Sequence, residues 1–212
     1  MLIAAAPTAR LCQTAAVTTS RLEAFSDGVL AIIITIMVLE LHVPEGTDLE
    51  ALGESATGFL TYLLSFVYVG IYWNNHHHMF KLVQQIDGLV LWSNMHLLFW
   101  LSLFPFTTAW VDESHFARTP TVTYGLNLLA AAIAYYLTQL AVFRTEGPES
   151  PLRRAVGRDV KGKISPVLYL TGIAAAWLSP WLSLAIFTAV AVMWVVPDRR
   201  LERFVAEHAS ER

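Results

Sequence analysis

Apolar runs close to the length of a bilayer crossing recur six times along the chain, and this recurrence constrains the fold more than any other feature. They cover Leu22 to Leu41, Thr57 to Trp73 with a polar extension to Phe80, Leu89 to Val111, Val122 to Phe143, Ile164 to Leu178 and Trp181 to Val196. Lipid offers no water to unpaired N–H and C=O groups, so a backbone crosses it only as a helix or a closed barrel, and about 20 apolar residues suffice for a helix. The expected fold class is all-α, a polytopic membrane protein with six transmembrane helices per subunit. With 55% hydrophobic and 15% charged residues, a soluble chain of 212 residues would lack the polar surface to cover its core. The fifth and sixth runs are short and separated only by Ser179 and Pro180. They read as a tight helical hairpin or, alternatively, as one broken helix, although together they are too long for one crossing.

Charge follows the spans. Arg10 and Arg21 precede the first, and Glu45, Asp48, Glu50 and Glu54 follow it; Lys81 follows the second, and Asp112, Glu113 and Arg118 follow the third. Arg144, Arg153, Arg154, Arg158, Lys161 and Lys163 lie beyond the fourth, and Arg199, Arg200, Arg203 and Arg212 end the chain. Thirteen of the 14 basic residues thus fall on one side, which the positive-inside rule makes cytoplasmic. The expected plan is a cytoplasmic tail at 1–20, a six-helix domain at 21–196 and a cytoplasmic tail at 197–212, in a multi-pass protein of the cell membrane. Met1 to Ala16 has no basic start and only a short apolar run, unlike a cleavable signal peptide. The basic stretch from Arg144 to Lys163 also holds Gly147, Pro148, Pro151 and Gly157, so it reads as irregular or partly helical. Its charges serve as a topology determinant or touch anionic lipid heads. Cys12 is the single cysteine, which excludes an internal disulfide framework, and no zinc-type spacing or nucleic-acid motif is present.

The first span opens on Arg21, Glu23, Phe25, Ser26 and Asp27 before turning apolar. Asp27 lies about 9 Å deeper than Arg21 along a helix, and a carboxylate there needs a partner. Six residues rotate Arg21 away from it, so the partner must come from another helix. The second span reaches the same depth with Trp73-Asn74-Asn75-His76-His77-His78, and the third with Asn94. Ser26, Asp27, Trp73, His76, His77 and Asn94 are therefore expected to form one polar cluster that holds helices in register. Consecutive histidines point in different directions, which favours hydrogen bonding over a metal site, and His96 reads as an interhelical donor. Beyond Asp27, Gly28, Ile32, Thr35, Ile36 and Leu39 share one helical stripe, which is packed core or a pore face.

The Arg21-x-x-x-Phe25-Ser26-Asp27 motif resembles that of the lysosomal and prokaryotic potassium channel family, whose first helix opens this way. Ser65-Phe66, Trp73-x-x-His76-His77, Asn94 and Pro105-Phe106 support the likeness. The resemblance implies a homotetramer whose first helices line a central pore, without the Thr-Val-Gly-Tyr-Gly filter, a string absent here. It implies that Ile32 forms the narrowest hydrophobic ring, that Thr35 supplies a hydroxyl layer for selectivity, and that Ile36 and Leu39 face the pore further out. It places Arg21, Phe25, Ser26, Asp27, Trp73, His76, His77 and Asn94 in a structural polar network. Potassium and other monovalent cations are the expected permeant species, with protons a further candidate, and neither cofactor nor metal is expected. Glu40 belongs to the outer mouth or to a rim against a neighbouring helix. Two other classes compete with the channel: a proton pathway or secondary transporter using Asp27 and the His76/His77 cluster, and an intramembrane enzyme built on His76 to His78. The enzyme lacks a nucleophile or paired acids at matching depth.

Overall fold

The computed structural model describes residues 18–157 and 159–195. Most of the tail expected at 1–20 and all of that at 197–212 lie outside the described residues. Those described form helices and no strand: α1 (Thr19–Leu39), α2 (Leu49–Glu54), α3 (Ala56–Lys81), α4 (Gly88–Ser102), α5 (Phe104–Glu113), α6 (Arg118–Glu146), α7 (Pro151–Val156), α8 (Val160–Ala175) and α9 (Pro180–Val195). Four segments are long and apolar enough to cross a membrane: α1, α3, α4 with α5, and α6. At 21 residues, α1 is about 31 Å long, close to the thickness of a hydrocarbon core.

Local chemistry sets the boundaries. Side-chain oxygens cap the first amides of several helices: Thr18 accepts from the Arg21 amide at 3.4 Å, Asp48 from Ala51 at 2.9 Å and Asp87 from Val90 at 2.9 Å. The Val90 amide also holds the Asp87 carboxyl below the usual carboxylate range. The third apolar run, read as one helix, is two. Pro105 has no N–H for the Leu101 carbonyl and its ring crowds that turn, so α4 stops at Ser102 and α5 restarts with proline in its first turn. The stretch from Arg144 to Lys163 is mostly helical: α6 runs on to Glu146, α7 fills the middle, and α8 starts at Val160, four residues before the expected span. Gly147 (φ 79°) and Gly157 (φ 55°) supply the left-handed turns that separate these helices.

α1 packs against α3, α4 and α5; α6 packs against α4, α5 and α8; α8 and α9 lie side by side as two separate helices. One apolar core joins Leu30, Ile33 and Met37 of α1 to Tyr68, Leu97, Phe104, Leu128, Tyr169 and Phe187. Phe187 is fully buried against Gly125 and Gly172, where a Cβ would overlap its ring, so these two glycines let α6, α8 and α9 approach. A second cluster, with Leu22, Phe80, Val90, Val142 and Leu152, closes the opposite end of the bundle. There the Gln84 amide donates to Glu146 Oε1 at 2.6 Å, which brings the α3–α4 turn to the end of α6. Trp194 donates to Ser165 at 2.8 Å and carries Lys161 6.0 Å from its ring centre, placing the ends of α9 and α8 together. Basic residues thus gather at the end where α1 starts, while His42, Asp112, Glu113 and His115 surround a cleft at the other.

Candidate functional site

The buried face of α1 comprises Leu22, Ser26, Leu30, Ile33 and Met37. Its opposite face meets nothing among the described residues. Gly28, Ile32, Thr35, Ile36 and Leu39 are all exposed, with Ile32 at 58% and Leu39 at 80%, whereas Ile33 is at 3%. Two isoleucines adjacent in sequence thus occupy opposite environments on one helix, a consequence of the 100° step between consecutive residues. A Cβ at Gly28 would meet no atom within 4 Å. The Thr35 hydroxyl donates to the Ile32 carbonyl at 2.8 Å. Its proton is thereby engaged along the helix, and its oxygen keeps lone pairs on the exposed face.

Below this face, α1, α3 and α4 share a set of polar side chains. Trp73 Nε1 donates to Asp27 Oδ1 at 3.1 Å. Asn94 Nδ2 donates to Ser26 Oγ at 3.0 Å, and Ser26 donates onward to the Leu22 carbonyl at 2.9 Å. His76 Nε2 lies 2.8 Å from Asn94 Oδ1. Because the Asn94 amide nitrogen is used on Ser26, its oxygen must accept, which assigns the His76 proton to Nε2. His76 Nδ1 is then a buried acceptor without a partner among the described residues. Ser26, His76 and Asn94 are all at 2% exposure or less. Orphaned lone pairs cost less than an orphaned N–H would, so the chain of bonds runs in one direction and ends on a backbone carbonyl.

His77 faces away from this chain. Its Nδ1 lies 3.5 Å from Glu23 Oε1, and its ring stacks on Trp73 at 6.0 Å with an 8° interplanar angle. Asp27, Trp73, His77 and Glu23 thus form a second, more exposed group beside the buried one. Glu23 was outside the expected cluster, although it stands one helical turn before Asp27, a spacing that carries the signal. Phe25, 53% exposed, and Arg21 join neither group; both line a 220 Å³ recess between α1 and α4 with Leu22, Leu91, Asn94 and Met95. His78 contacts the Asn74 carbonyl at 2.7 Å. His96 differs from expectation: it accepts from Trp100 Nε1 at 2.9 Å within its own helix, where side chains at i and i+4 lie on one face. Among the described residues, no three His, Cys, Asp or Glu side chains converge as a metal ion requires.

A further buried knot was not legible in the sequence. Ser65 lies 2.7 Å from the Thr108 hydroxyl and 3.0 Å from that of Tyr124, and Tyr68 donates to the Phe187 carbonyl at 2.6 Å. Isolated hydroxyls in apolar runs show no periodic signal, and their partners come from helices far apart in sequence.

A family model described as endosomal/lysosomal potassium channel TMEM175 matches residues 21–105, the stretch that holds both groups and the exposed face. Over 191 residues the chain is 50% identical to a potassium channel of Chryseobacterium sp. (strain P1-3), covering 90% of this chain and 100% of that one. It is 28% identical to the endosomal/lysosomal proton channel TMEM175 of Bos taurus over 81% of its own length and 40% of that protein's. The crystal structure of a lysosomal potassium-selective channel TMEM175 homolog from Chamaesiphon minutus superimposes with a TM-score of 0.71 at 30% identity, over 85% of this chain and 98% of that one.

Proposed function

The chain belongs to the TMEM175 family of potassium channels, and on that footing we propose that it is a potassium-permeable cation channel whose pore is built by the exposed face of α1 in four copies. The observation that carries this reading is the exposure of Gly28, Ile32, Thr35, Ile36 and Leu39 on an apolar helix that buries only the stripe of Leu22, Ser26, Leu30, Ile33 and Met37. In the proposed homotetramer α8 and α9 also cross the membrane, giving six crossings per subunit with both termini in the cytoplasm. Ile32 from each subunit forms the tightest ring, with Ile36 and Leu39 continuing the apolar wall; such a ring blocks hydrated ions by dewetting when narrow and conducts when widened. Thr35 forms the layer above it. Four hydroxyl oxygens whose protons are held by the Ile32 carbonyls present lone pairs that replace part of a potassium ion's water shell. Asp48, Asp112 and Glu113 at the far end concentrate cations near the outer mouth.

The polar network at the base of α1, with Arg21 and Phe25 on its rim, serves in this reading to hold α1 at a fixed angle to α3 and α4. A proton pathway through Asp27 and the His76/His77 cluster is the second reading, favoured by the continuous bonds from His76 through Asn94 to Ser26. Those bonds end on the Leu22 carbonyl, which passes no proton onward. Currents from purified protein in planar bilayers with opposed potassium and pH gradients separate the two. Reversal near the potassium potential is expected; reversal that tracks the proton gradient would replace the channel reading with the pathway.

A further inference from the structure

We propose that α7 and the helix ends beside it form a docking platform for anionic phospholipid headgroups, and that headgroup binding there stabilises the base of α1. A basic loop that served topology alone would need no fixed shape, yet this one is built. The Ser150 side chain, 1% exposed, accepts from the Arg153 amide and donates to Glu146 Oε2 at 2.6 Å. The other oxygen of Glu146 takes the Gln84 amide, so one carboxylate clamps α7 to the α3–α4 turn. Leu152 and Ala155, three apart on α7, are buried in the cluster that contains Leu22 of α1, Met79 and Phe80 of α3 and Val90 of α4.

That packing turns Arg153 and Arg154 outward, and both are exposed, as are Arg144 at the end of α6 and Lys163 on α8. Among the described residues, none of these four forms an ion pair with a carboxylate. The acids close by are used elsewhere: Glu146 in its clamp, and Asp159 in accepting the Gly162 amide at 2.9 Å. Glu149 is the exposed exception. Arg153 is further immobilised, its guanidinium carbon 5.2 Å from the centre of the Phe143 ring. Stacking occupies the face of a guanidinium and leaves its edge N–H groups, which pair bidentately with phosphate oxygens. Four cations at the level where a spanning helix leaves the hydrocarbon meet the phosphodiester charge of anionic lipids, not a soluble partner. Because Leu152 and Leu22 share one cluster, a headgroup that immobilises α7 tightens the contact on which α1 stands.

Thermal unfolding of the purified full-length chain in a neutral detergent tests this without any current, so a silent protein would not confound it. Phosphatidylglycerol should raise the melting temperature more than phosphatidylcholine does. The triple substitution Arg153→Gln, Arg154→Gln, Lys163→Gln should keep the phosphatidylcholine value and weaken the apparent phosphatidylglycerol affinity on the order of a hundredfold. A salt titration of the unaltered chain gives a second measure that does not depend on the variant's folding: about 1 M salt, with a Debye length of about 3 Å, should abolish the difference between the two lipids. Equal stabilisation by both lipids, persistence of the preference in the variant or in high salt, or its reproduction by inorganic phosphate would each overturn the proposal.

Discussion

At the scale of single residues, the adjacent pair Ile32 and Ile33 separates a functional face from ordinary core. Ile33 is at 3% exposure among Leu30, Met37 and Tyr68, so Ile33→Ala should lower stability by about 2 to 5 kcal/mol, read as a loss of thermal resistance. Ile32, 58% exposed, has no such packing to lose. Ile32→Ala should leave the melting temperature within a degree or two, raise single-channel conductance and admit sodium more readily, because a wider ring dewets less readily. Equal effects of the two substitutions on permeation, recorded side by side in bilayers, would remove Ile32 from the pore. Thr35→Val keeps shape and deletes the oxygen, so mixed-ion reversal potentials should shift toward sodium while conduction persists. An unchanged reversal potential would leave Thr35 with only its bond to the Ile32 carbonyl.

Between elements, the junction of α1 with α3 rests on one exposed bond, Trp73 to Asp27, and one buried chain, His76 to Asn94 to Ser26. Asp27→Ala removes the acceptor of the half-exposed Trp73 indole and should cost about 1 kcal/mol, the net worth of one such hydrogen bond, visible as a less heat-resistant oligomer on native gels. Asp27→Asn keeps an acceptor oxygen and should recover most of that loss. An alanine variant with normal heat resistance and no current would make Asp27 a conduction residue instead. The depth argument that grouped these residues needed only helical rise and span direction, which is why Ser26, Asp27, Trp73, His76, His77 and Asn94 could be named from sequence. Their division into a buried group and an exposed one depends on helix rotation about the axis, which no count of residues supplies.

For the whole molecule, segregated charge gives a direct expectation: cysteines introduced at Asp48 and Asp112 should react with an impermeant reagent from outside intact cells, and at Arg154 only after permeabilisation. Labelling of position 154 from outside would invert the chain in the membrane. In the structure the basic ends of α1, α3, α6 and α8 meet at one side and the cleft with Asp112, Glu113 and His115 lies at the other. Positive charge is expensive to carry across a bilayer, so this separation is written into the composition of the loops.

Local rules were therefore enough to read the helical class, the four spans from α1 to α6, and the stripe from Gly28 to Leu39, since each depends on neighbours within one or two turns. The break at Pro105 had its cause in plain view, though an unbroken apolar run concealed it. Only the packed chain decided which side of α1 is left bare, that Phe187 seats on Gly125 and Gly172, and that Leu152 reaches Leu22. Those outcomes depend on how several helices rotate to fill one volume together, and in an apolar run nearly every rotation looks equally hydrophobic until the neighbours are present.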